Sequence, residues 1–186
     1  MRNLIYAINL TIDGCCDHTK MIADEEMHEY YTRLVRDADL FVYGRKTYQL
    51  MVPFWPDTAK NHSGETNAVN EFAQAFDSIS KIVVFSRTLD RAEGRNARIV
   101  RTNLQDEILK LKQEQGKNIL TGGADIPSQL IQLGLVDEYH IVVHPVVAGE
   151  GRRLLEGIRL QEKLQLKLVE SNTFKSGSVA LHYVKR

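Results

Sequence analysis

Apolar and polar residues alternate from Leu4 to Leu10, with turn residues on either side, and this period of two predicts a first β-strand. From Asp24 to Arg36 the period changes. Met27, Tyr30, Tyr31, Leu34 and Val35 recur at helical spacing, and Asp24, Glu25 and Glu26 fall in the first turn, where the helix dipole favours acids. A short apolar run from Leu40 to Tyr43 predicts a second strand. Lys46 to Met51 then predicts a short helix, ended by Pro53, Trp55 and Pro56 and followed by a polar loop over 58–64. Thr66 to Phe76 is helical again, with Val69, Phe72, Ala73 and Phe76 on one face.

The second half continues the alternation. Lys81 to Ser86 carries the continuous run IVVF expected of a strand covered on both faces, and Arg98 to Arg101 is another short strand. Leu104 to Gln115 predicts a helix ending at Gly116. Asn118 to Thr121 predicts a strand, then a Gly-Gly turn, then a helix through Leu133 with Pro127 in its first turn. Glu138 to His144 is a strand. Leu164 to Asn172 and Ser178 to Val184 form a closing hairpin around 175–177. Strands alternating with helices and closing on a hairpin imply a three-layer α-β-α domain. Its central sheet is mixed and mostly parallel, and 186 residues suit a single domain over 1–186.

Charge narrows the function classes. The 24 basic and 24 acidic residues cancel, which argues against a general nucleic-acid binder. No apolar run reaches the roughly 18–20 residues that a membrane span needs. The opening MRNLIYAINLTIDG reads as a strand and not as a signal peptide, since Asn9 and Asp13 interrupt it. Cys15 and Cys16 are adjacent and have no metal-ligand spacing, so they read as free thiols and point to a cytoplasmic protein.

Three strand ends carry residues suited to an anion. Gly44-Arg45-Lys46-Thr47 opens a helix whose first amides lack intrahelical partners. Ser86-Arg87-Thr88 places a guanidinium between two hydroxyls. Gly122-Gly123-Ala124 lets backbone approach a ligand ahead of another helix start. Each could alternatively be an ordinary polar turn. Together, along one sheet edge, they fit an extended ligand with several phosphates, such as a dinucleotide. Candidates for proton chemistry are Asp13, after the first strand, and Asp24, at the start of the first helix, each with a plain turn or dipole role as the alternative. His140 and His144 share a face of a regular strand but have no third ligand spaced to help, so no metal is expected. Phe54 and Trp55 could wall a flat substrate or pack in the core, and the glycine-rich basic stretch 149–153 could serve a substrate or an interface.

Ile12-Asp13-Gly14, GRKTY at 44–48, SRT at 86–88, TGGA at 121–124 and HPVVAGEGRRLLEG at 144–157 together resemble the dihydrofolate-reductase-like superfamily. The resemblance is nearer to the RibD C-terminal type, the reductase domain of riboflavin biosynthesis. It implies an NADPH-dependent reductase that transfers hydride to a C=N or C=O bond of a small heterocyclic or sugar-linked substrate. It also implies a homodimer using the late strands and the 145–157 loop. Carried onto this chain, it places Ala7 beside the nicotinamide through its backbone. Gly44, Arg45, Lys46 and Thr47 would hold the diphosphate and 2′-phosphate side. Ser86, Arg87 and Thr88 would flank the adenosine 2′-phosphate, and Gly122, Gly123 and Ala124 would lie against the pyrophosphate. Folate reductases carry a first-helix carboxylate after a Trp-containing segment. This chain has Lys20-Met-Ile-Ala-Asp24 there and no Trp. Dihydrofolate reduction and nucleotide binding without turnover remain as alternative readings.

Overall fold

The computed structural model describes residues 1–94 and 96–186. Among the described residues, eight strands form one sheet: β1 (Leu4–Thr11), β2 (Ala38–Gly44), β3 (Lys81–Phe85), β4 (Ala97–Val100), β5 (Asn118–Thr121), β6 (Glu138–His144), β7 (Leu166–Thr173) and β8 (Val179–Lys185). Their order across the sheet is β4-β3-β2-β5-β1-β6-β8-β7. The first six are parallel to one another, and β8 and β7 add an antiparallel hairpin at one side. The helices are α1 (Glu25–Arg36), α2 (Arg45–Asn61), α3 (Asn67–Asp77), α4 (Leu104–Gln113) and α5 (Asp125–Gln132). Among the described residues, no helix is long and apolar enough to cross a membrane.

Alternation along the strands divides the core into two. Leu4, Tyr6, Leu40, Val42, Val83 and Ile119 face α4 and α5, meeting Ile108, Leu111, Leu130 and Ile131. Ile5, Phe41, Tyr43, Ile82, Val84 and Leu120 face the other way, against Val35 of α1, Tyr48 and Val52 of α2, and Phe72 and Phe76 of α3. The expected three layers are present, and the IVVF strand is covered on both faces.

One element departs from expectation. Helix α2 does not stop after Met51 but runs through Pro53 and Pro56 to Asn61, so much of the expected 58–64 loop is helical. An interior proline costs about 3 kcal/mol through a lost hydrogen bond and ring crowding. Against this, Tyr48 and Val52 are buried and Trp55 packs edge-on to Phe72 of α3, with ring centroids 4.5 Å apart. At about 1.5–3 kcal/mol per large apolar side chain, burial of these three is of the same order as the roughly 6 kcal/mol that the two prolines cost together. The helix ends where His62 adopts a left-handed conformation, φ 48°.

Candidate functional site

The carboxyl ends of β3, β2, β5 and β1 lie side by side, because Gly44 is the register partner of Phe85, and Thr121 is the partner of both Val42 and Tyr6. The turns 86–88, 44–47 and 122–124 therefore follow one another along one edge. The three anion-suited segments are neighbours in space, as their strand positions require.

The contacts among them are close. A Cβ on Gly122 would lie 3.4 Å from the carbonyl oxygen of Ala7, and one on Gly44 would lie 3.1 Å from Cγ1 of Ile126. Gly123 has φ +84° and sits where a Cβ would meet Thr47 Oγ1. The Tyr6 hydroxyl donates to the Gly123 carbonyl at 2.9 Å, which fixes the second glycine from below. Backbone thus lines the gap between β1, β2 and β5, and no side chain of the glycine turn fills it.

The helix starts at this edge also differ from the rest. Asp24, Thr66 and Asn103 cap α1, α3 and α4 through side-chain oxygens that accept from first-turn amides. Neither Gly44 before α2 nor Ala124 before α5 supplies such a bond. First-turn amides that lack a side-chain acceptor favour an anion through both their N–H groups and the helix dipole. Arg45, Lys46 and Arg87 are exposed around them. In the neighbouring turn, Ser86 Oγ accepts from the amides of Thr88 and Leu89 at 3.3 and 3.0 Å, leaving Arg87 and Thr88 outward. These features fit a phosphorylated dinucleotide lying along the edge.

Beyond Ala7, on the α1 face of the sheet, lies a polar cluster that sequence reading did not assemble. His144 at the end of β6 is fully buried. Its Nδ1 accepts from the Ile22 amide at 3.3 Å, which assigns the ring proton to Nε2, 3.0 Å from Asn9 Oδ1. The Tyr31 hydroxyl donates to the same Asn9 oxygen at 3.1 Å. With two donors on Oδ1, the Asn9 amide nitrogen is turned the other way. Burial lowers the pKa of His144, and the nearby Asp24 carboxylate partly opposes that shift. Asp24 has two jobs: Oδ1 accepts from the Met27 amide at 2.6 Å, whereas Oδ2 is buried with no hydrogen-bond partner among the described residues. A sequence signal for the cluster existed, since Asn9 is a polar residue inside an apolar strand.

A family model of the RibD C-terminal domain matches residues 2–180. The chain belongs to the RibD C-terminal domain family. It is 35% identical over 188 residues to the uncharacterized protein YyaP of Bacillus subtilis (strain 168), covering 98% of this chain and 94% of that protein. In fold it is similar to a protein ascribed to riboflavin biosynthesis in Shewanella sp. PV-4, with TM-score 0.75 at 17% identity, over 100% of this chain and 99% of the other. Dihydrofolate reductase from Enterococcus faecalis, solved with NADP(H), is similar over 99% of this chain and 96% of its own, with TM-score 0.64 at 12% identity. The mostly parallel sheet with its antiparallel closing hairpin and the dihydrofolate-reductase-like fold expected from the sequence are those observed.

In this RibD C-terminal domain, Asp13 ties the first strand to the loop over 145–153. Its carboxylate accepts from Thr11 Oγ1 at 2.6 Å and from the amides of Ala148 and Gly149 at 3.0 Å each, and Arg153 lies 3.5 Å away. The Arg153 guanidinium also donates to the Asp13 carbonyl. The bond from Thr11 and those from the loop amides hold the Asp13 carboxyl well below the usual carboxylate range, so it is an ionised tether for the 145–153 loop. Arg152 of that loop reaches Asp125 at the start of α5, 2.5 Å away, which brings the glycine-rich stretch to the rim of the candidate cofactor edge. Trp55 packs against Phe72, while Phe54 is 57% exposed beside it. Of the two, only Phe54 is free to meet a ligand.

Proposed function

We propose that the chain is an NADPH-dependent reductase acting on a small heterocyclic substrate that carries both hydrogen-bond donors and acceptors. The observation that carries this reading is the pair of helix starts, α2 and α5, without side-chain caps, on either side of a glycine turn at one sheet edge. The RibD C-terminal family and the dihydrofolate-reductase-like fold support it. Gly44 to Thr47 and Gly122 to Ala124 would hold the diphosphate by backbone amides, and Arg87 with Ser86 and Thr88 would take the 2′-phosphate. Lys46 and Arg45 would add positive charge beside it. When bound, NADPH supplies the hydride.

The chain's own contribution is orientation and proton handling. Ala7 would meet the cofactor through its backbone. On the α1 face beyond it, Asn9 offers an amide N–H and Asp24 offers the free lone pairs of Oδ2. That donor and acceptor together fit a ring bearing adjacent C=O and N–H groups, as in pyrimidines and pterins. Asp24 is the better candidate to hold or pass a proton, because Asp13 is committed to its loop.

The test is a titration with NADPH and NADH, followed by nicotinamide fluorescence. NADPH is expected to bind more tightly, and Arg87→Ala to remove about tenfold of that preference, ~1.4 kcal/mol, because an exposed charge pair sits at a rim. Absence of measurable affinity for either nucleotide would overturn the reading. Binding with no NADPH consumption across pyrimidine and pterin substrates would favour a nucleotide-binding protein without turnover.

A further inference from the structure

At the opposite end of β6 from His144, three side chains on the α1 face form a group that the cofactor edge does not use. Glu138 and His140 are two residues apart on one strand and so share a face. His182 on β8 is the antiparallel register partner of His140. Glu138 Oε2 lies 3.1 Å from His182 Nε2 and 3.8 Å from His140 Nε2, and the three ligand atoms all lie within 4.8 Å of one another. His140 is only 5% exposed, yet its Nε2 is buried with no hydrogen-bond partner among the described residues. A buried imidazole nitrogen normally has a partner, so the group is incomplete without one at this atom.

We propose that Glu138, His140 and His182 bind a divalent transition-metal ion of the zinc class. Two imidazoles and one carboxylate are a donor set that zinc accepts, leaving a fourth position for water. Metal–ligand bonds of about 2.0–2.2 Å put tetrahedral neighbours roughly 3.3–3.6 Å apart, and the two measured separations fall on either side of that range. Supporting contacts already orient the ligands. Tyr30 Oη lies 2.6 Å from His140 Nδ1, so an Nδ1–H donated to the phenol leaves the Nε2 lone pair aimed at the group. Asn3 donates to Glu138 Oε1 at 2.7 Å, which turns Oε2 inward.

One adjustment is needed. The two imidazoles are stacked, 4.1 Å apart and 18° from parallel, whereas an ion must lie in the plane of each ring it binds. His140 is locked by Tyr30 and its burial. His182, with 19% of its side chain exposed, can rotate until its Nε2 converges on the same point. This partly exposed side also gives the ion its way in. With nitrogen in two of three positions, the site discriminates against calcium and magnesium, which favour oxygen ligands.

The test uses the full-length chain after chelator treatment, titrated with cobalt(II) by visible absorbance and then with zinc as competitor. One ion per chain with a tetrahedral cobalt spectrum is expected, and excess magnesium should not displace it. His182→Ala and Glu138→Gln, both at partly exposed positions, should weaken binding at least about 100-fold while circular dichroism stays unchanged. Tyr30→Phe should weaken it about 10–100-fold. No saturable binding by the unaltered chain would overturn the proposal. So would equal affinity in His182→Ala, since the ion would then reside on other histidines.

Discussion

The second glycine of the 122–123 turn and the threonine of the 44–47 turn meet at one point: a Cβ on Gly123 would overlap Thr47 Oγ1. Because φ at Gly123 is +84°, a side chain there is disfavoured twice, by backbone conformation and by contact. Gly123→Ala should therefore destabilise the fold by about 2–5 kcal/mol, combining a left-handed penalty of ~1–2 with overpacking of ~1–3. Adding Thr47→Ala should recover the steric part and leave the conformational part. Urea midpoints of the two single variants and the double variant separate these. If the double variant is no more stable than Gly123→Ala, the close approach is not what makes glycine necessary.

Asp24 separates a structural role from a chemical one within a single carboxylate. Asn keeps an oxygen for the Met27 amide, so Asp24→Asn should cost no more than about 1 kcal/mol, through the lost charge at the α1 start. Its effect on NADPH-dependent turnover should be far larger than its effect on stability. Removing the anion should also push the His144 pKa further down, because Asp24 is the larger of the two influences that oppose the lowering by burial, the Ile22 amide being the other. Imidazole resonances followed by NMR across pH would register that displacement. An unmoved His144 titration would place Asp24 outside the cluster.

Much of this was legible in the chain itself, and the exceptions share a cause. Periodicity gave every strand and the layer order, because strand alternation and helix stripes report burial directly. The three turns could be read because glycine, arginine and hydroxyl residues at strand ends are locally distinctive. The continuation of α2 was not legible, since proline is a local signal and the burial of Trp55 on Phe72 is a tertiary one. The cluster of Asn9, Tyr31, Asp24 and His144 was hidden for the same reason. Its members lie up to 135 residues apart and meet only when β1 pairs with β6. Sequence sets His140 beside His144, four residues on, whereas its neighbour in space is His182 on the adjoining strand β8.

Far from the site, Lys112 tests the stability of the opposite sheet edge. It is 5% exposed, and its ammonium donates to the Leu135 carbonyl at 3.1 Å and to Asp137 at 2.6 Å. Asp137 also accepts from the Leu4 amide and keeps 37% of its side chain exposed, so water can take over part of the lost pairing. Lys112→Ala should cost about 2–3 kcal/mol, below the ~3–5 found where both charges are buried. Lys112→Met, which keeps most of the apolar stem, should cost less. Denaturant unfolding measures both, and neither variant should alter nucleotide affinity.

Asp13 sets a pH limit on the 145–153 loop. Its folded pKa lies below the usual value of about 3.9, so the tether is at full strength above that pH. It weakens as pH falls below about 4, where the detached carboxylate takes up a proton that the tethered one does not, and it is lost once pH passes the lower folded pKa and the amides of Ala148 and Gly149 lose their acceptor. Hydrogen exchange at those two amides, corrected for intrinsic rates, should accelerate on acidification ahead of exchange in the β5 and β6 core. Asp13→Asn should show fast exchange already at neutral pH and lose the acid-dependent step, while the sheet stays protected. Arg153→Ala should give a partial effect, because the guanidinium only adds to what the loop amides and Thr11 already hold. An unchanged exchange profile in Asp13→Asn would mean that the loop is held without its carboxylate, and would return Asp13 to the candidates for proton transfer.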